Sequence, residues 1–246
     1  MSELKDSIGK VIGHRGAAGL APENTFAAFH RAFESGCRFI EFDVMLSADG
    51  IPFVIHDTTL DRTTNGHGEV GLMTAEYIES LDAGRWFAKR YAGEKIPRYE
   101  AVLKWMNQTG VNANIEIKPY PGKAHETAMA VINEIRRLWP EDKPLPLVSS
   151  FDPEAVQLCH ALAPDIPLGF LMHTWQDNWR RKAADLGCYS IHLHHKIVTA
   201  ERVDQLKAEG YVVLAYTVNS RRRAKKLFAC GVDAVFSDYP NLLPAS

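Results

Sequence analysis

Short apolar runs recur along the chain, each followed by a stretch in which apolar residues return every three or four positions. The runs begin at Val11, Phe39, Ala113, Leu147, Leu168, Ser190, Val212 and Ala234. They are rich in Val, Ile, Leu and Phe and too short for helices, so they predict strands. In the stretches between them, Phe26, Phe29 and Phe33 share one helical face. So do Val102, Leu103 and Met106, then Ala128, Ile132 and Ile135, then Val203 and Leu206. That spacing predicts amphipathic helices laid on a sheet. Eight such β-α units predict an α/β fold of the TIM (β/α)8 barrel class, with the helices outside. The rival, an open doubly wound sheet, expects a glycine-rich turn after the first strand, and Gly13-His14-Arg15-Gly16 is not one. Only Pro240 to Ser246 follow the last strand, so the eighth helix is expected to be stunted.

From Leu147 onward the strand starts recur about every 22 residues, but Phe39 and Ala113 are much further apart. An insertion over residues 45–97, after the second barrel strand, accounts for the excess within a single domain spanning 1–246. Its first part reads Met45-Leu46-Ser47-Ala48-Asp49-Gly50-Ile51-Pro52-Phe53-Val54-Ile55-His56, with Asp-Gly between two apolar runs. That is a hairpin signal, and Pro52 suits an edge strand. If Asp49-Gly50 is a two-residue turn, His56 falls opposite Asp43 on the same face. The remainder is polar and glycine-bearing with aromatic Trp86, Phe87 and Tyr91, and is expected to cap the barrel mouth.

The strand ends carry chemistry. Glu41 and Asp43, two apart, point to one side of their strand, and Glu116 and Lys118 repeat the pattern on the next. In a barrel these sets face inward near the C-terminal ends, where active sites sit. Three carboxylates packed together repel unless a cation neutralises them, and an all-oxygen set suits Mg2+ or Ca2+. The bland reading is a salt-bridged interior of Glu41, Asp43, Arg15 and Lys118. His14 and His56 flank the group and can exchange protons near neutral pH. Arg15 and Lys118 suit phosphate oxygens. Together these groups point to phosphodiester cleavage. Pro22-Glu23-Asn24-Thr25 reads as a helix start with an Asn or Thr cap, and Asn24 can also lend a polar group to the site. Phe151, at a strand end, is either pocket wall or core. His194-His195 end another strand on the active face. His30, His125, His160 and His173 read as surface or packing residues.

Composition narrows the setting. With 246 residues, 46% hydrophobic, and a net charge of −2, the chain is an ordinary globular protein with no broad basic surface for nucleic acid. Arg221-Arg222-Arg223 with Lys225-Lys226 reads as a solvated helix face. Cys37, Cys159, Cys188 and Cys230 form no CxxC pair and are expected to be buried free thiols. Met1 to Asp6 begin no apolar leader, and no run of about 18 apolar residues occurs. A cytoplasmic protein without stable membrane association is expected.

The motifs reach a family. His14-Arg15-Gly16, Pro22-Glu23-Asn24-Thr25, Glu41-Phe42-Asp43-Val44, His56-Asp57, Leu60-Asp61-Arg62-Thr63-Thr64, Glu116-Ile117-Lys118 and Tyr216-Thr217-Val218-Asn219 resemble the glycerophosphodiester phosphodiesterases. Asn114 to Pro119 and Ser190 to Leu193 look most like the short cytosolic bacterial members that accompany glycerol-phosphate uptake. The resemblance implies a barrel that cleaves deacylated phospholipid head groups to sn-glycerol 3-phosphate and an alcohol. It implies His14 and His56 as the acid–base pair, Glu41, Asp43 and Glu116 on one divalent cation, and Arg15 and Lys118 on the phosphate. Tyr216 stands where many members have Trp, leaving an aromatic wall but casting doubt on selectivity.

Two alternatives stay open. A lysophospholipase D-like enzyme needs an apolar path, which Trp175 and Trp179 would line unless they serve helix packing. A catalytically silent phosphoester-binding barrel would tolerate loss of a histidine or carboxylate, and all are present.

Overall fold

The computed structural model describes Leu4 and residues 7–242. Its strands are β1 (Val11–Gly13), β2 (Phe39–Leu46), β3 (Pro52–Val54), β4 (Asn112–Ile117), β5 (Leu147–Ser150), β6 (Leu168–Met172), β7 (Ser190–His194), β8 (Val212–Tyr216) and β9 (Ala234–Ser237). Eight of them are parallel, in the order β1-β9-β8-β7-β6-β5-β4-β2, and a β1–β2 pairing at Gly13 and Ile40 closes the ring. The expected TIM barrel is therefore present. Only β4 starts off its predicted position, at Asn112 rather than Ala113. Helices α1 (Phe26–Glu34), α2 (Ala75–Ser80), α3 (Tyr99–Thr109), α4 (Ala124–Leu138), α5 (Pro153–Leu162), α6 (Trp179–Asp185), α7 (Ala200–Ala208) and α8 (Arg221–Ala229) lie in the intervening segments. After β9, Pro240–Leu242 makes one short turn. The rest of the expected stunted helix, and most of Met1 to Asp6, lie outside the described residues. Among the described residues no helix is long and apolar enough to cross a membrane.

Strand β2 shows how the sequence sorts itself. All eight residues are buried, but the two faces differ in kind. Ile40, Phe42 and Val44 join the main core between barrel and helices, where Phe42 meets Phe29 at 5.8 Å and Tyr99 at 6.1 Å between ring centroids. Each such side chain stabilises the fold by roughly 1.5–3 kcal/mol. Phe39, Glu41 and Asp43 take the other face. Phe39 joins Ile12, Leu147, Leu214 and Phe236, packed with Leu4 and Ile8, in a plug at the N-terminal end of the strands. The interior therefore turns from apolar to acidic over four residues of one strand, and the open end holds the charge.

Between plug and mouth lies a polar layer. His192 is fully buried, and its Nε2 lies 2.8 Å from Ser190 Oγ. Gly169 makes room for it, because a Cβ there would fall 2.6 Å from His192 Nε2. Burial pushes the imidazole down to about 3, so it is neutral. The buried Asn114 amide on β4 and Ser149 hydroxyl on β5 find no protein partner.

The hairpin departs from the expected register. Val44, Met45 and Leu46 pair with Val54, Phe53 and Pro52. Ser47 closes the loop instead of Ala48, its N–H donating to the Ile51 carbonyl at 3.0 Å. The loop has three residues, Ala48-Asp49-Gly50, with Gly50 at φ 81, a left-handed position that favours glycine. Ser47 Oγ donates to Asp49 Oδ1 at 2.7 Å and accepts from Ile51 N–H at 3.0 Å, which favours the longer loop. Ile55, not His56, is the residue opposite Asp43, its N–H donating to the Asp43 carbonyl at 3.0 Å. The insertion carries its own small core, with Phe53 of β3 and Leu60, Val70 and Ile78 beyond it all buried.

Candidate active site

At the C-terminal end of the barrel a cavity of ≈ 290 Å³ opens among His14, Arg15, Glu41, Asp43, His56 and Glu116 on one side. Phe151, His173, His194, His195 and Tyr216 line the other side. Lys118 reaches the same carboxylates from the end of β4, with Nζ 3.5 Å from Asp43 and 3.4 Å from Glu116.

Pairing explains the carboxylate cluster. Glu41 lies beside Asn114, and Asp43 beside Glu116, in the β2–β4 register. One oxygen from each of Glu41, Asp43 and Glu116 lies within 4.8 Å of the other two, and all three residues are buried. Arg15 approaches from β1: its backbone N–H donates to Glu41 at 2.8 Å and its Nε lies 3.6 Å from Asp43. Two side-chain cations therefore face three carboxylates. Burial pushes the Glu41 carboxyl well up, with Asp43 and Glu116 adding repulsion. Glu116 is raised by burial and by Asp43. Asp43 is held down: burial acts against its charge, but Lys118, Arg15, His56 and the Asn24 hydrogen bond outweigh it. An all-oxygen, charge-deficient cluster of this kind fits a hard divalent cation. The salt-bridged interior expected as the bland reading is real but leaves one carboxylate unmatched.

Arg15 (φ 48) and Asn24 (φ 57) hold the left-handed backbone region without being glycine. Both send side chains into the site, and such strained positions concentrate where geometry is fixed for function. The cap and the site divide between neighbours at the start of α1. Thr25 accepts the Ala28 N–H, while Asn24 Nδ2 donates to Asp43 at 2.9 Å.

The two histidines are held alike by different means. His14 Nδ1 lies 2.6 Å from Asp238 Oδ1, and Asn219 Nδ2 donates to the other Asp238 oxygen at 2.5 Å. His56 Nδ1 lies 2.6 Å from Asp57 Oδ1. Arg62 Nε donates to Asp57 at 2.6 Å, and its Nη atoms donate to Glu23 at 2.7 and 2.8 Å. Glu23 in turn accepts from Arg15 Nη1 at 2.6 Å. A carboxylate on Nδ1 fixes the ring and leaves Nε2 for a reacting group. Despite the shifted hairpin register, His56 reaches the cavity, because β3 ends at Val54 and the chain bends through His56-Asp57. Burial lowers the His56 pKa, with Arg15 and Lys118 adding to the effect against Asp43 and Asp57.

Some of these residues carried no expectation. Asp238 follows β9 directly, and the Gly13–Ser237 pairing sets it beside His14; an acid after the last strand of a closed barrel was the available signal. Glu23, Asp57 and Arg62 stood inside motifs without a role. His173, expected at the surface or in packing, instead faces the cavity, 4.5 Å from the His194 ring. Phe151, 43% exposed, stands on the cavity wall with its ring 5.7 Å from Tyr216. Trp175 and Trp179 pack on each other at 5.8 Å, Trp179 inside the main core, and do not line the cavity. Within the basic cluster Arg223 departs from the expected solvated face, its Nε donating to His195 Nδ1 at 3.2 Å. All four cysteines are free, but only Cys37 and Cys159 are buried; Cys188 and Cys230 are half-buried.

The chain resembles known proteins over nearly its whole length. Residues 14–242 match the glycerophosphoryl diester phosphodiesterase family. A glycerophosphodiester phosphodiesterase of Caldanaerobacter subterraneus subsp. tengcongensis is 35% identical over 95% of both chains. Another, from Bacillus altitudinis, is 36% identical over 94% of this chain and 95% of its own. Among solved structures, an Oleispira antarctica phosphodiesterase in complex with the product sn-glycerol-3-phosphate is 39% identical, with a TM-score of 0.93 over 96% of this chain and 95% of that one. A glycerophosphodiester phosphodiesterase from Agrobacterium tumefaciens is 31% identical, with a TM-score of 0.79 over 97% of this chain and 100% of that one. With these strand ends, and with likeness of this extent, the chain belongs to the glycerophosphoryl diester phosphodiesterase family.

Proposed function

We propose that the protein hydrolyses glycerophosphodiesters to sn-glycerol 3-phosphate and an alcohol. The observation that carries this reading is the convergence, in one cavity, of two carboxylate-held histidines on a buried carboxylate trio with two cations. Glu41, Asp43 and Glu116 hold one divalent cation, Mg2+ or Ca2+, which when bound supplies charge neutralisation for the phosphate. Arg15 and Lys118 bind the non-bridging phosphate oxygens. One of His14 and His56 takes the proton of the attacking oxygen, from water or from the glycerol 2-hydroxyl. The other gives a proton to the departing alkoxide as the phosphorus–oxygen bond breaks. When the glycerol hydroxyl attacks, a cyclic phosphate forms, and water opens it with the proton roles reversed. Phe151 and Tyr216 wall the organic part of the substrate. The Tyr216 hydroxyl is buried without a protein partner, and burial and Glu116 raise its pKa, keeping it a donor.

Residues 1–246 form one barrel-type domain in this reading, and the 45–97 insertion is its cap. Tyr91 donating to the Leu20 carbonyl at 3.1 Å, and Arg62 to Glu23, support that role. A cytoplasmic setting accords with four unpaired cysteines. The test is release of glycerol 3-phosphate from glycerophosphoglycerol, coupled to glycerol-3-phosphate dehydrogenase, with and without EDTA. Chelator-sensitive release is expected. Absence of release in the presence of added Mg2+ and Ca2+ would refute the proposal.

A further inference from the structure

The cavity has two unlike walls. The carboxylates that line it, Glu41, Asp43 and Glu116, stand on β2 and β4. Across from them, the ends of β6, β7 and β8 present His173, His194, His195 and Tyr216, and no lining residue there is acidic. His194 pairs with Tyr216 in register, so these rings form a contiguous face. The ring centroids of His194 lie 4.5 Å from His173, 4.9 Å from His195 and 5.7 Å from Tyr216.

We propose that this imidazole wall is a hydroxyl-reading subsite, selecting glycerophosphodiesters whose alcohol is a polyol over those ending in a quaternary ammonium. The proposal rests on the phosphodiesterase reading above and names the substrate class of that same site.

Three observations carry it. First, Arg223 fixes the His195 tautomer. Its Nε–H donates to His195 Nδ1 at 3.2 Å, and it also donates to the His195 carbonyl. An arginine can only donate, so Nδ1 carries no proton and Nε2 remains as an N–H donor. Second, among the described residues no protein hydrogen bond engages the ring nitrogens of His173 or His194, and the Tyr216 hydroxyl is unpartnered as well. Neutral imidazoles offer one donor and one acceptor each, matching the two-way hydrogen bonding of hydroxyls. Burial and mutual repulsion keep His194 and His195 below the ordinary histidine pKa, hence neutral at pH 7.5. Third, the charged groups that act on His194 and His195, Lys196 and Arg223, are positive, and the carboxylate that acts on Tyr216 is Glu116 of the cation-binding cluster. At the His194–His195 end a trimethylammonium group would meet like charge and leave the donors unpaired, whereas a glyceryl group satisfies them.

The test compares kcat/KM for glycerophosphoglycerol and glycerophosphocholine in the full-length, cation-supplemented enzyme at pH 7.5. The wild type is expected to favour glycerophosphoglycerol by at least about tenfold. His194→Phe should narrow that ratio several-fold by removing hydrogen bonds and adding a face for cation–π contact. Arg223→Ala, at a helix position outside the barrel wall, should narrow it less by freeing the His195 tautomer, and it guards against a folding defect in the first variant. Equal or better use of glycerophosphocholine by the wild type would overturn the proposal. So would an unchanged ratio in both folded variants. Failure to release glycerol 3-phosphate from either diester would instead sink the phosphodiesterase reading, and this inference with it.

Discussion

His14 and His56 meet the same cavity with the same 2.6 Å contact to a carboxylate, yet the fold builds the two sites differently. The partner of His14 lies 224 residues away and arrives only when β9 pairs with β1 to close the barrel. The partner of His56 is its neighbour Asp57, anchored by Arg62, whose other bonds run to Glu23 and on to Arg15. One site is a product of barrel closure, held by neutral Asn219. The other belongs to the insertion and is held by an ionic strap that also fixes Arg15. Equivalent local chemistry therefore depends on global topology in one case and on a local charge network in the other.

The largest effect should come from the rings themselves. His14→Ala and His56→Ala are each expected to lower kcat at least about a hundredfold, as loss of general acid–base catalysis does. Unchanged melting temperatures would show that the fold persists. Near-normal turnover in either folded variant would remove that histidine from the proposed mechanism.

The carboxylate partners should then separate. Asp238→Asn offers His14 an amide that can present a donor to the wrong nitrogen, so kcat should fall about ten- to a hundredfold with KM little changed. Arg62→Ala leaves Glu23 with only Arg15 and lets that arginine drift. The expected signature is a KM rise of about five- to tenfold with a smaller change in kcat, because Arg62 is half-exposed and its pairs are partly screened. If both variants lowered kcat alone, the distinction between the two sites would fail.

A smaller effect ties the barrel side to global stability. His192 is buried and neutral, with its pKa pushed down to about 3. The unfolded chain binds the proton below about 6.5 and the folded chain does not, so stability is lost as pH falls. Between pH 6.5 and 5.5 the loss amounts to about 1 kcal/mol. Urea unfolding of His192→Leu should show a correspondingly flatter pH dependence than the wild type. Parallel curves would show that the ring is protonated or solvated in the folded state.

The fold and much of the site were legible because period and chemistry agree along each strand. In Phe39-Ile-Glu-Phe-Asp43, alternation alone puts two carboxylates inward and two apolar side chains in the core, as observed. The hairpin register was not legible. Asp49-Gly50 suits either a two- or a three-residue loop, and the choice turned on the Ser47 side chain bonding across the loop to Ile51. His56 still arrives because the chain bends after β3, which no periodicity reports. Asp238 was hidden for another reason: it gains meaning only from the closure pairing of the first and last strands. His173 looked like a surface residue because it lies just past the end of β6, and Arg223 because it stands in a run of basic residues in the first turn of α8.

The central claim is that one cation on Glu41, Asp43 and Glu116 serves phosphodiester cleavage. Stepwise addition of Mg2+ to EDTA-stripped protein, with calorimetric binding and glycerol 3-phosphate release followed together, tests it most directly. One bound cation per chain, turnover rising in step with occupancy, and loss of both in folded Glu116→Gln are expected. Full turnover by the stripped protein, or unchanged binding in Glu116→Gln, would contradict it.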